Sequence, residues 1–264
     1  MGESVLRMLL RLLGAYKIYS RYLERQISKK EKPKHIGLIL DGNRRWAREK
    51  SLPTKLGHYF GAENAKNLLD WCYKLGVESV TIYAFSTENF NRPKEEVDEL
   101  FAIIEEKLKE LLRDERIHKY KVRVKGIGKK DLLPESIRSI LDEVERSTAN
   151  YDQHFLNIAL AYGGRIEIVE AVKKICEDVK AGKLDTSSIN TATIERYLYT
   201  SHLPHPEPDL IIRTSGEERL SGFLLWQSAY SELVFLDVFW PEFRKIDLMR
   251  AIRIYQQRDR RFGK

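Results

Sequence analysis

The chain has 264 residues, of which 42% are hydrophobic, and its 46 Lys and Arg against 39 Asp and Glu give a formal net charge of +7. This length suits one large α/β domain or two small ones, and the apolar fraction is ample for a full core. Two cysteines, and six histidines without metal-ligand spacing, argue against a disulfide scaffold and against a zinc site. The absence of a GxGxxG fingerprint and of a GxxxxGK[ST] loop argues against a dinucleotide enzyme and a P-loop NTPase.

Residues 1–30 hold much of the net positive charge, with seven Lys and Arg against two Glu. On a helical wheel at about 100° per residue, the basic and the apolar side chains fall on opposite sides. The two faces consist of Arg7, Arg11, Arg21 and Arg25 and of Val5, Leu9, Leu12, Tyr16, Leu23 and Ile27. The pattern predicts a basic amphipathic helix over residues 1–30, before a domain over residues 31–264, and its apolar runs are too short to span a bilayer. Such a helix either binds a membrane surface or covers the domain or a dimer partner with its apolar face, and the pattern leaves both interpretations open.

Strand-like and helical patterns alternate along the rest of the chain. Apolar, β-branched runs at residues 36–40, 80–85 and 210–212 predict buried strands. Amphipathic helices are predicted over residues 62–75, 94–113, 134–150, 166–179, 193–199 and 245–260. With no linker and no internal repeat, this alternation predicts a single α/β domain with a mostly parallel sheet flanked by helices. Cys72 and Cys176 lie in two of these helices among apolar neighbours, where each is expected to behave as a small hydrophobe.

The first predicted strand runs into residues 41–47 (DGNRRWA), which place a carboxylate, a glycine and two guanidinium groups at a strand end. Open parallel sheets bind ligands at the carboxyl ends of their strands. Gly42 and Asn43 tolerate unusual backbone angles, so amide N–H groups there can turn toward an anion. The combination suits a magnesium-bound diphosphate, and the alternative is a surface turn that happens to be basic.

Two later strands end in similar residue types. Residues 86–93 (STENFNRP) supply hydroxyls, an amide, a carboxylate and an arginine, and residues 213–221 (RTSGEERLS) supply arginines and hydroxyls. Each junction alone would pass for an ordinary polar loop. Because three strands end in anion-binding residue types, a shared phosphate-rich site is the better interpretation.

The chain resembles the cis-prenyltransferases in these three motifs and in GHYFGAEN at residues 57–64, LNIALAYGGR at 156–165 and RDRRFG at 258–263. This family includes the undecaprenyl and dehydrodolichyl diphosphate synthases, and the resemblance covers nearly all of residues 35–263. It implies an enzyme that condenses isopentenyl diphosphate with an allylic prenyl diphosphate, makes a polyprenyl diphosphate and releases diphosphate. It also implies dependence on Mg²⁺ and a homodimer. With the basic amphipathic helix of residues 1–30, we expect a cytoplasmic protein that is peripheral on the membrane surface.

The resemblance assigns one group of residues to the allylic diphosphate. Asp41 would be catalytic, as the metal ligand that places Mg²⁺ against this diphosphate. The cradle around it would consist of Gly42, Asn43, Arg44 and Arg45, with His58 as a hydrogen-bond donor. Trp46 and Phe90 would line the allylic end, where an aromatic face can contact developing positive charge, or else they are plain core residues.

A second group is assigned to isopentenyl diphosphate. The residues matched to its diphosphate are Arg213, Arg219, Leu220 and Ser221, and Glu232 would be a further Mg²⁺ ligand. Other substrate contacts would come from Ser86, Thr87, Glu88 and Arg92. Asn89 is the second catalytic candidate, and it more plausibly orients the substrate than abstracts a proton, because an amide is a poor base. Arg261 and Gly263 of the terminal Arg-x-Gly would reach across the dimer interface to complete this site.

Two positions depart from the better-known bacterial pattern. Thr54 replaces an arginine that contacts the allylic diphosphate, which leaves Lys55 as a weaker, single-point substitute. Leu160 replaces an alanine, so Leu160→Ala should lengthen the product if this side chain narrows the tunnel for the growing chain. Primer preference, product length and head-to-tail regiochemistry therefore stay open.

Other function classes fit the sequence less well. A trans-prenyltransferase depends on DDxxD sites, and this chain has no adjacent pair of aspartates. A non-catalytic partner subunit would have lost the diphosphate cradle, which this chain keeps. A nucleic-acid-binding protein would carry its charge in a groove with interleaved aromatic residues rather than on one terminal helix.

Overall fold

The computed structural model describes residues 15–258. Within this range, six strands form one sheet: β1 (His35–Ile39), β2 (Ser79–Ser86), β3 (Val122–Ile127), β4 (His154–Tyr162), β5 (Leu210–Arg213) and β6 (Glu232–Phe235). The helices of the same range are α1 (Ala15–Ile27), α2 (Asn43–Glu49), α3 (Thr54–Leu75), α4 (Lys94–Leu112), α5 (Glu115–Lys119), α6 (Glu135–Thr148), α7 (Gly164–Lys180), α8 (Thr191–Tyr197) and α9 (Lys245–Gln257). Short 3₁₀ helices span Thr87–Asn91, Lys130–Leu132, Thr186–Ser188 and Trp240–Glu242.

All six strands run parallel, in the order β3-β4-β2-β1-β5-β6. The register places Ile39 of β1 beside Tyr83 of β2 on one side and beside Arg213 of β5 on the other. Because parallel strands share one carboxyl edge, the motifs that follow β1, β2 and β5 meet at that edge. The predicted α/β fold, with a parallel sheet flanked by helices, is confirmed.

Both faces of the sheet are buried. Successive strand residues point to opposite faces, so Leu38 of β1 joins the larger hydrophobic core while Ile39 joins a smaller one. The larger core receives side chains from α1, α3, α4, α6 and α9. The smaller core receives Phe223 and Leu224 from the segment between β5 and β6. Burial on both faces explains why the strands read as continuous apolar runs in the sequence.

Helix α1 is packed into the same domain. Leu23 and Ile27 are 0% and 1% exposed and belong to the larger core, and Gln256 of α9 donates a hydrogen bond to the Ile27 carbonyl oxygen at 2.9 Å. Arg21 and Arg25 are exposed, as predicted for the basic face, but Tyr16, which was predicted on the apolar face, is 37% exposed near the start of the helix. Residues 15–27 therefore cover the domain with their apolar face. The predicted face residues Val5, Arg7, Leu9, Arg11 and Leu12 lie outside the described part of the chain.

Helix α3 begins at Thr54, well before its predicted start at residue 62. Gly57 and Gly61 lower the intrinsic helix propensity of this first part, which hides it in the sequence. A Cβ at Gly57 would lie 2.3 Å from the Asn43 carbonyl oxygen, and a Cβ at Gly61 would lie 2.4 Å from Asn43 Oδ1. The two glycines therefore let α2 approach α3 closely and bring the DGNRRWA motif against the GHYFG motif.

The two cysteines differ in environment. Cys72 of α3 is fully buried, as expected, but Cys176 of α7 is exposed, so the expectation for Cys176 is wrong. Helix α7 buries Ala171 and Ile175. Cys176 follows Ile175 by about 100° around the helix, which turns it away from the core. Among the helices of residues 15–258, none has both the length and the apolarity needed to cross a membrane.

Candidate active site

Asp41 lies at the carboxyl edge of the sheet, just after β1. Its Oδ1 accepts a hydrogen bond from the Gly42 N–H at 2.7 Å, and its Oδ2 accepts one from Arg213 Nη2 at 2.8 Å. Gly42 has a φ of 105°, and a Cβ there would lie 2.7 Å from Phe239 Cδ1, so this turn into α2 requires glycine. Burial alone would raise the pKa of Asp41, but Arg213, the Gly42 amide and Arg45 outweigh burial and hold that pKa below its ordinary value. Asp41 is therefore a carboxylate at neutral pH.

Arg213 joins the ends of β1 and β5 next to Asp41. Its side chain is 5% exposed, and it also donates hydrogen bonds to Ser221 Oγ at 2.8 Å and to the Arg219 carbonyl oxygen. Ser221 has a φ of 47°, in the left-handed region that residues other than glycine rarely adopt. The loop after β5 thus holds a hydroxyl against a buried guanidinium, which is always charged and presents its donors in a rigid fork.

Arg45 of α2 approaches Asp41 from the other side. It donates hydrogen bonds to Ser215 Oγ at 2.5 Å and to the Ser215 carbonyl oxygen at 3.1 Å. Its guanidinium nitrogens lie 3.0 Å from a Glu217 oxygen and 3.7 Å from Asp41 Oδ2. Two arginines therefore flank one carboxylate at the sheet edge. The Asp41 cluster, as we use the term, consists of Asp41, Arg45, Arg213 and Ser221.

A second cluster, which the sequence analysis missed, surrounds Glu96 in the first turn of α4. Glu96 Oε1 lies 2.9 Å from Arg92 Nη1, 3.3 Å from His58 Nε2 and 3.6 Å from Arg44 Nε. Acidic residues are favoured in the first turn of any helix, so the sequence signal at Glu96 suggests only helix stabilisation. We call Glu96, Arg92, His58 and Arg44 the Glu96 cluster. The resemblance placed Arg44 and His58 in one cradle with Arg45, whereas in the structure both lie beside Arg92.

The charges in the Glu96 cluster follow from its burial. His58 is 6% exposed, and burial lowers its pKa by more than the hydrogen bond with Glu96 raises it. Burial raises the pKa of Glu96, but His58, Arg92 and Arg44 together hold it below its ordinary value. At neutral pH the cluster therefore contains two guanidinium groups, one carboxylate and a neutral imidazole that can donate a hydrogen bond.

The 3₁₀ helix after β2 orients Asn89. Asn89 Oδ1 accepts a hydrogen bond from the Ser86 N–H at 3.0 Å, as in a capping box. Because the amide oxygen is held by the backbone, the Asn89 side chain has a fixed direction at the carboxyl edge. This arrangement supports an orienting role for Asn89.

A cavity of about 560 Å³ extends from these clusters into the domain, between the sheet, α3 and α4. The predicted residues at its polar end are Asp41, Asn43, His58, Ser86, Glu88, Asn89, Arg92, Arg213 and Ser221. Beyond them the lining is apolar, with Ile82 and Leu160 from the sheet and Leu100 and Ile104 from α4. The volume is typical of small-molecule sites, about 300–1,000 Å³. An anion-binding mouth above an apolar cavity suits a ligand with a charged head and a hydrocarbon chain.

Trp46 and Phe90 do not line this cavity. Trp46 Nε1 donates a hydrogen bond to Glu242 at 3.0 Å, and its ring packs edge-on against Phe60. Phe90 packs against Phe85, with ring centroids 5.0 Å apart. The structure therefore favours the packing alternative for both aromatic residues.

Other predicted site residues also lie outside the cavity lining, namely Gly42, Arg44, Arg45, Thr87, Arg219, Leu220 and Glu232. Thr87 begins the 3₁₀ helix after β2, and Leu220 packs against the smaller core. The Arg219 side chain is 61% exposed and pairs with Glu217. Substrate contacts of Thr87, Arg219 and Leu220 stay predictions.

Glu232 lies at the start of β6, and the start of a parallel strand belongs to the amino edge of the sheet. The register pairs Glu232 with Leu210 and Phe235 with Arg213, so Glu232 is displaced by roughly 10 Å along the strand direction from the level of Arg213. Its carboxylate pairs with Arg258 at 2.6 Å. Within one chain, Glu232 and Asp41 therefore lie at opposite edges of the sheet, and the role of Glu232 as a further Mg²⁺ ligand stays a prediction. Arg261 and Gly263 lie outside the described residues.

Within residues 15–258, no three His, Cys, Asp or Glu side chains converge on a point that could hold a metal ion. Mg²⁺ in proteins is usually bound by one or two carboxylates together with substrate phosphates and water. The ionised Asp41 at the cavity mouth fits that pattern, because a diphosphate would supply further oxygen ligands.

Comparison with known proteins identifies the family. Residues 39–263 match a family model described as putative undecaprenyl diphosphate synthase. A tritrans,polycis-undecaprenyl-diphosphate synthase (geranylgeranyl-diphosphate specific) from Methanopyrus kandleri is 54% identical over 265 residues, which cover 100% of this chain and 97% of the relative. The structure of lavandulyl diphosphate synthase from Lavandula x intermedia, in complex with dimethylallyl diphosphate, is 37% identical and matches with a TM-score of 0.85 over 88% of this chain and 99% of that one. The chain belongs to the cis-prenyltransferases, the family of undecaprenyl diphosphate synthase, and is a transferase that condenses isopentenyl diphosphate with an allylic diphosphate.

Proposed function

We propose that this enzyme extends geranylgeranyl diphosphate with isopentenyl diphosphate in a Mg²⁺-dependent reaction and makes a long polyprenyl diphosphate. The observation that carries the proposal is the Asp41 cluster at the mouth of an apolar cavity. The specificity of the Methanopyrus kandleri relative for geranylgeranyl diphosphate supports the choice of primer. The apolar lining of the cavity beyond its polar mouth suits the hydrocarbon chain of such a primer.

The difficult step is the departure of diphosphate with its negative charges, as C4 of isopentenyl diphosphate bonds to C1 of the primer and the allylic C–O bond breaks. Bound Mg²⁺ would supply Lewis-acid neutralisation of that charge. Asp41 would hold the ion, and the ionised state of Asp41 prepares it for this role. Arg45 and the backbone N–H groups at the start of α2 would bind the oxygens of the same diphosphate.

Arg213 and Ser221 would bind the diphosphate of isopentenyl diphosphate, because the guanidinium fork of Arg213 already lies at the cavity mouth. Arg219, with its exposed side chain, would swing toward the same diphosphate. Asn89 would orient the substrate while a proton leaves C2 and the new double bond forms. Glu96 would hold Arg44, Arg92 and His58 together beside the reacting ends.

We also propose a homodimer and a peripheral association with the membrane. The dimer would be completed by Arg261 and Gly263, and a role for Glu232 would then depend on the second chain. Residues 1–30 would supply the membrane contact, supported by their arginines and by the apolar side chains of the sequence before α1, since Leu23 and Ile27 are buried in the core. Light scattering of the purified protein should give twice the chain mass of 31.0 kDa, and the chain mass itself would exclude the dimer.

The test of the reaction uses the purified full-length chain, labelled isopentenyl diphosphate, and geranyl, farnesyl or geranylgeranyl diphosphate as primer. We expect the highest kcat/KM with geranylgeranyl diphosphate, long products, and loss of turnover in EDTA that added Mg²⁺ restores. A shorter primer with a higher kcat/KM would refute the proposed primer, and full turnover in EDTA would refute the metal dependence.

The likeness to lavandulyl diphosphate synthase raises a second candidate, an irregular condensation of two allylic units. The same assay with dimethylallyl diphosphate as the sole substrate tests it. We expect no product, because the Methanopyrus kandleri relative is specific for the much longer geranylgeranyl diphosphate. A branched product would favour the irregular reaction.

A further inference from the structure

An exposed apolar patch lies on α2 and the first two turns of α3. Leu56, Tyr59 and Phe60 are 37%, 37% and 44% exposed. The centre of the Phe60 ring lies 5.5 Å from that of Trp46 and 5.9 Å from that of Tyr59. Single exposed apolar residues are ordinary, whereas a contiguous group bordered by polar residues is typical of an interaction surface. We call Trp46, Leu56, Tyr59 and Phe60 the α2–α3 patch.

The α2–α3 patch borders the mouth of the cavity. Residues three or four apart share one side of a helix, so Leu56, Tyr59 and Phe60 lie together on the outer side of α3. His58 and Gly61 of the same two turns line the cavity instead. These turns pack against α2 at the carboxyl edge of the sheet, where the cavity opens. A surface that touches the patch therefore also lies beside the mouth.

The border of the patch is basic. Residues 44–60 contain five Lys and Arg against one Glu. Arg48, Lys50 and Lys55 are exposed. An excess of positive charge around exposed aromatic and aliphatic side chains matches an anionic lipid surface, which presents phosphate groups above hydrocarbon. Trp and Tyr rings, which are apolar with one polar edge, are also enriched at the level of lipid head groups.

The start of α1 lies near the same edge of the sheet. The Arg244 guanidinium lies 5.8 Å from the centre of the Tyr16 ring. Arg244 comes two residues after Glu242, whose carboxylate accepts the hydrogen bond of Trp46 in the patch. The basic sequence that precedes α1 is therefore joined to the domain on the side of the patch, and one flat surface can contact both.

We propose that the α2–α3 patch docks onto an anionic lipid surface and turns the mouth of the cavity toward it. An allylic diphosphate with a long hydrocarbon chain is an amphiphile, so it partitions into a bilayer with its diphosphate at the level of the head groups. A docked enzyme would take this primer directly from the bilayer. Delivery of the primer rests on the proposed function, whereas docking itself does not.

The first experiment makes the patch polar with Leu56→Gln and Phe60→Gln together in the full-length protein. Binding is measured by sedimentation with vesicles of phosphatidylglycerol and phosphatidylcholine in equal parts. We expect at least about tenfold weaker binding, or about 1.4 kcal/mol, because two apolar side chains no longer enter the lipid. The wild type should bind vesicles of phosphatidylcholine alone less tightly and should dissociate as salt rises. Equal binding to both vesicles would refute an anionic surface.

The matched control is Leu132→Gln with Ile189→Gln. These side chains are 49% and 38% exposed, much like the two in the patch. Leu132 ends the 3₁₀ helix after the edge strand β3, and Ile189 precedes α8. This control should bind the vesicles as tightly as the wild type.

The second experiment reports contact at the patch itself. Cys176 is exposed and Cys72 is buried, so Cys176→Ser with Tyr59→Cys leaves one reactive thiol for a bimane dye. We expect its emission to move to shorter wavelength when the anionic vesicles are added, because the dye leaves water. The control carries the same dye on the native Cys176 of α7 and should show no change.

A third measurement tests delivery of the primer. Geranylgeranyl diphosphate is supplied either within the anionic vesicles or free in solution without vesicles. We expect Leu56→Gln with Phe60→Gln to lower kcat/KM about tenfold for the primer in vesicles. The value for the free primer should stay that of the wild type, because neither Leu56 nor Phe60 lines the cavity.

The outcomes separate docking from the alternatives. Wild-type binding of the glutamine variant, together with an unchanged dye emission, would refute docking by the patch. The proposal also fails if the emission at position 59 lies at short wavelength without vesicles. Reversal by deletion of residues 1–14 would then show that this segment covers the patch, and dependence on protein concentration would show that a second copy does.

The dye decides alone if the glutamine variant does not fold, as judged by its circular dichroism. If the wild type forms no polyprenyl product from any primer, the proposed function is wrong and delivery of the primer falls with it. Sedimentation and the dye would still decide whether the patch docks onto lipid.

Discussion

Asp41 is both the proposed ligand of Mg²⁺ and the partner of a buried guanidinium. From its place at a strand end alone, Asp41 would be expected to contribute little to stability, because such a carboxylate is seldom part of a core. In the structure, however, its Oδ2 accepts a hydrogen bond from Arg213, whose side chain is 5% exposed. Removing the carboxylate therefore leaves a buried charge without one of its acceptors, and the choice of substitution matters.

We expect Asp41→Asn to lower kcat by about 10²–10³-fold, the typical loss for one preorganised electrostatic group. The asparagine oxygen can still accept from Arg213, so the protein should unfold at nearly the same urea concentration as the wild type. Asp41→Ala should lose activity too, but also about 1–3 kcal/mol of stability, because Arg213 then lacks an acceptor. Wild-type kcat in saturating Mg²⁺ for either variant would remove Asp41 from the mechanism.

Glu96 offers a second test at this scale, because three site residues converge on its carboxylate. In Glu96→Gln, Arg44, Arg92 and His58 lose their common charged acceptor, and a hydrogen bond to a charged group is worth about 1.5–3 kcal/mol. We expect kcat/KM to fall by at least about tenfold. The exposed neighbour Glu95 supplies the control, since Glu95→Gln leaves the cluster intact. Equal kinetics in the two variants would show that Glu96 does not position the site.

At the scale of elements, α1 changes how membrane binding should be tested. A deletion of residues 1–30 would expose the contacts that Leu23 and Ile27 make in the larger core, so it would confuse loss of anchoring with loss of stability. Burial of an aliphatic side chain of this size contributes about 1.5–3 kcal/mol. The informative truncation therefore ends before α1.

We expect deletion of residues 1–14 to weaken sedimentation with anionic liposomes, since each basic residue near an anionic surface contributes about 1 kcal/mol. Condensation onto a soluble short primer and the urea midpoint should stay at wild-type values. Deletion of residues 1–30 should lower the urea midpoint as well. If the shorter deletion still sediments like the wild type, the membrane contact lies elsewhere.

The cavity walls place Leu160 and Leu69 at different depths. Leu160 of β4 pairs with Phe85, next to Ser86 at the carboxyl edge, whereas Leu69 of α3 lines both this cavity and a neighbouring one of about 30 Å³. We expect Leu69→Ala to lengthen the products more than Leu160→Ala does, as measured by mass spectrometry of the products. Leu160→Ala should also lose about 2–5 kcal/mol of stability, as buried Leu→Ala changes do, and Leu69→Ala should lose less because Leu69 is only partly buried. A larger effect of Leu160→Ala would place the limiting constriction near the mouth.

At the scale of the whole molecule, a chain of buried polar groups crosses the sheet near its amino edge. His35 of β1 contacts Thr81 of β2 at 2.8 Å, and His202 contacts Asn157 of β4 at 3.0 Å. Burial lowers the pKa of both His35 and His202 from 6.5 to about 4. Between about pH 4 and pH 6.5, both imidazole rings are therefore neutral in the folded protein, whereas the same two histidines are already protonated in the unfolded chain.

We expect the protein to lose stability as the pH falls from about 6.5 to about 4, because the unfolded state binds protons there and the folded state does not. Each histidine can contribute up to about 3 kcal/mol to this loss. Urea unfolding at several pH values measures it, and His35→Asn should flatten the pH dependence. If the free energy of unfolding of His35→Asn depends on pH as steeply as that of the wild type, His35 does not contribute to the loss of stability in this pH range.

The sequence by itself determined the parallel α/β architecture and the three motif-bearing strand ends. Both follow from local patterns: buried parallel strands read as apolar runs, and the ligands of such sheets gather at the carboxyl edge. Most residues at the polar end of the cavity were predictable for the same reason. The helix α2 was not, because Gly42 and Asn43 read as a turn rather than as the start of a helix.

Only the tertiary structure decided which of these residues meet. The pairing of Ile39 with Arg213 brings Asp41 to the guanidinium of Arg213, and the packing of α3 against α4 brings His58 to Glu96 and Lys66 to Glu110. The same register places Glu232 at the far edge of the sheet. Contacts between residues distant in the chain depend on strand order and helix packing, and no local pattern of charge or hydrophobicity encodes which two distant segments become neighbours.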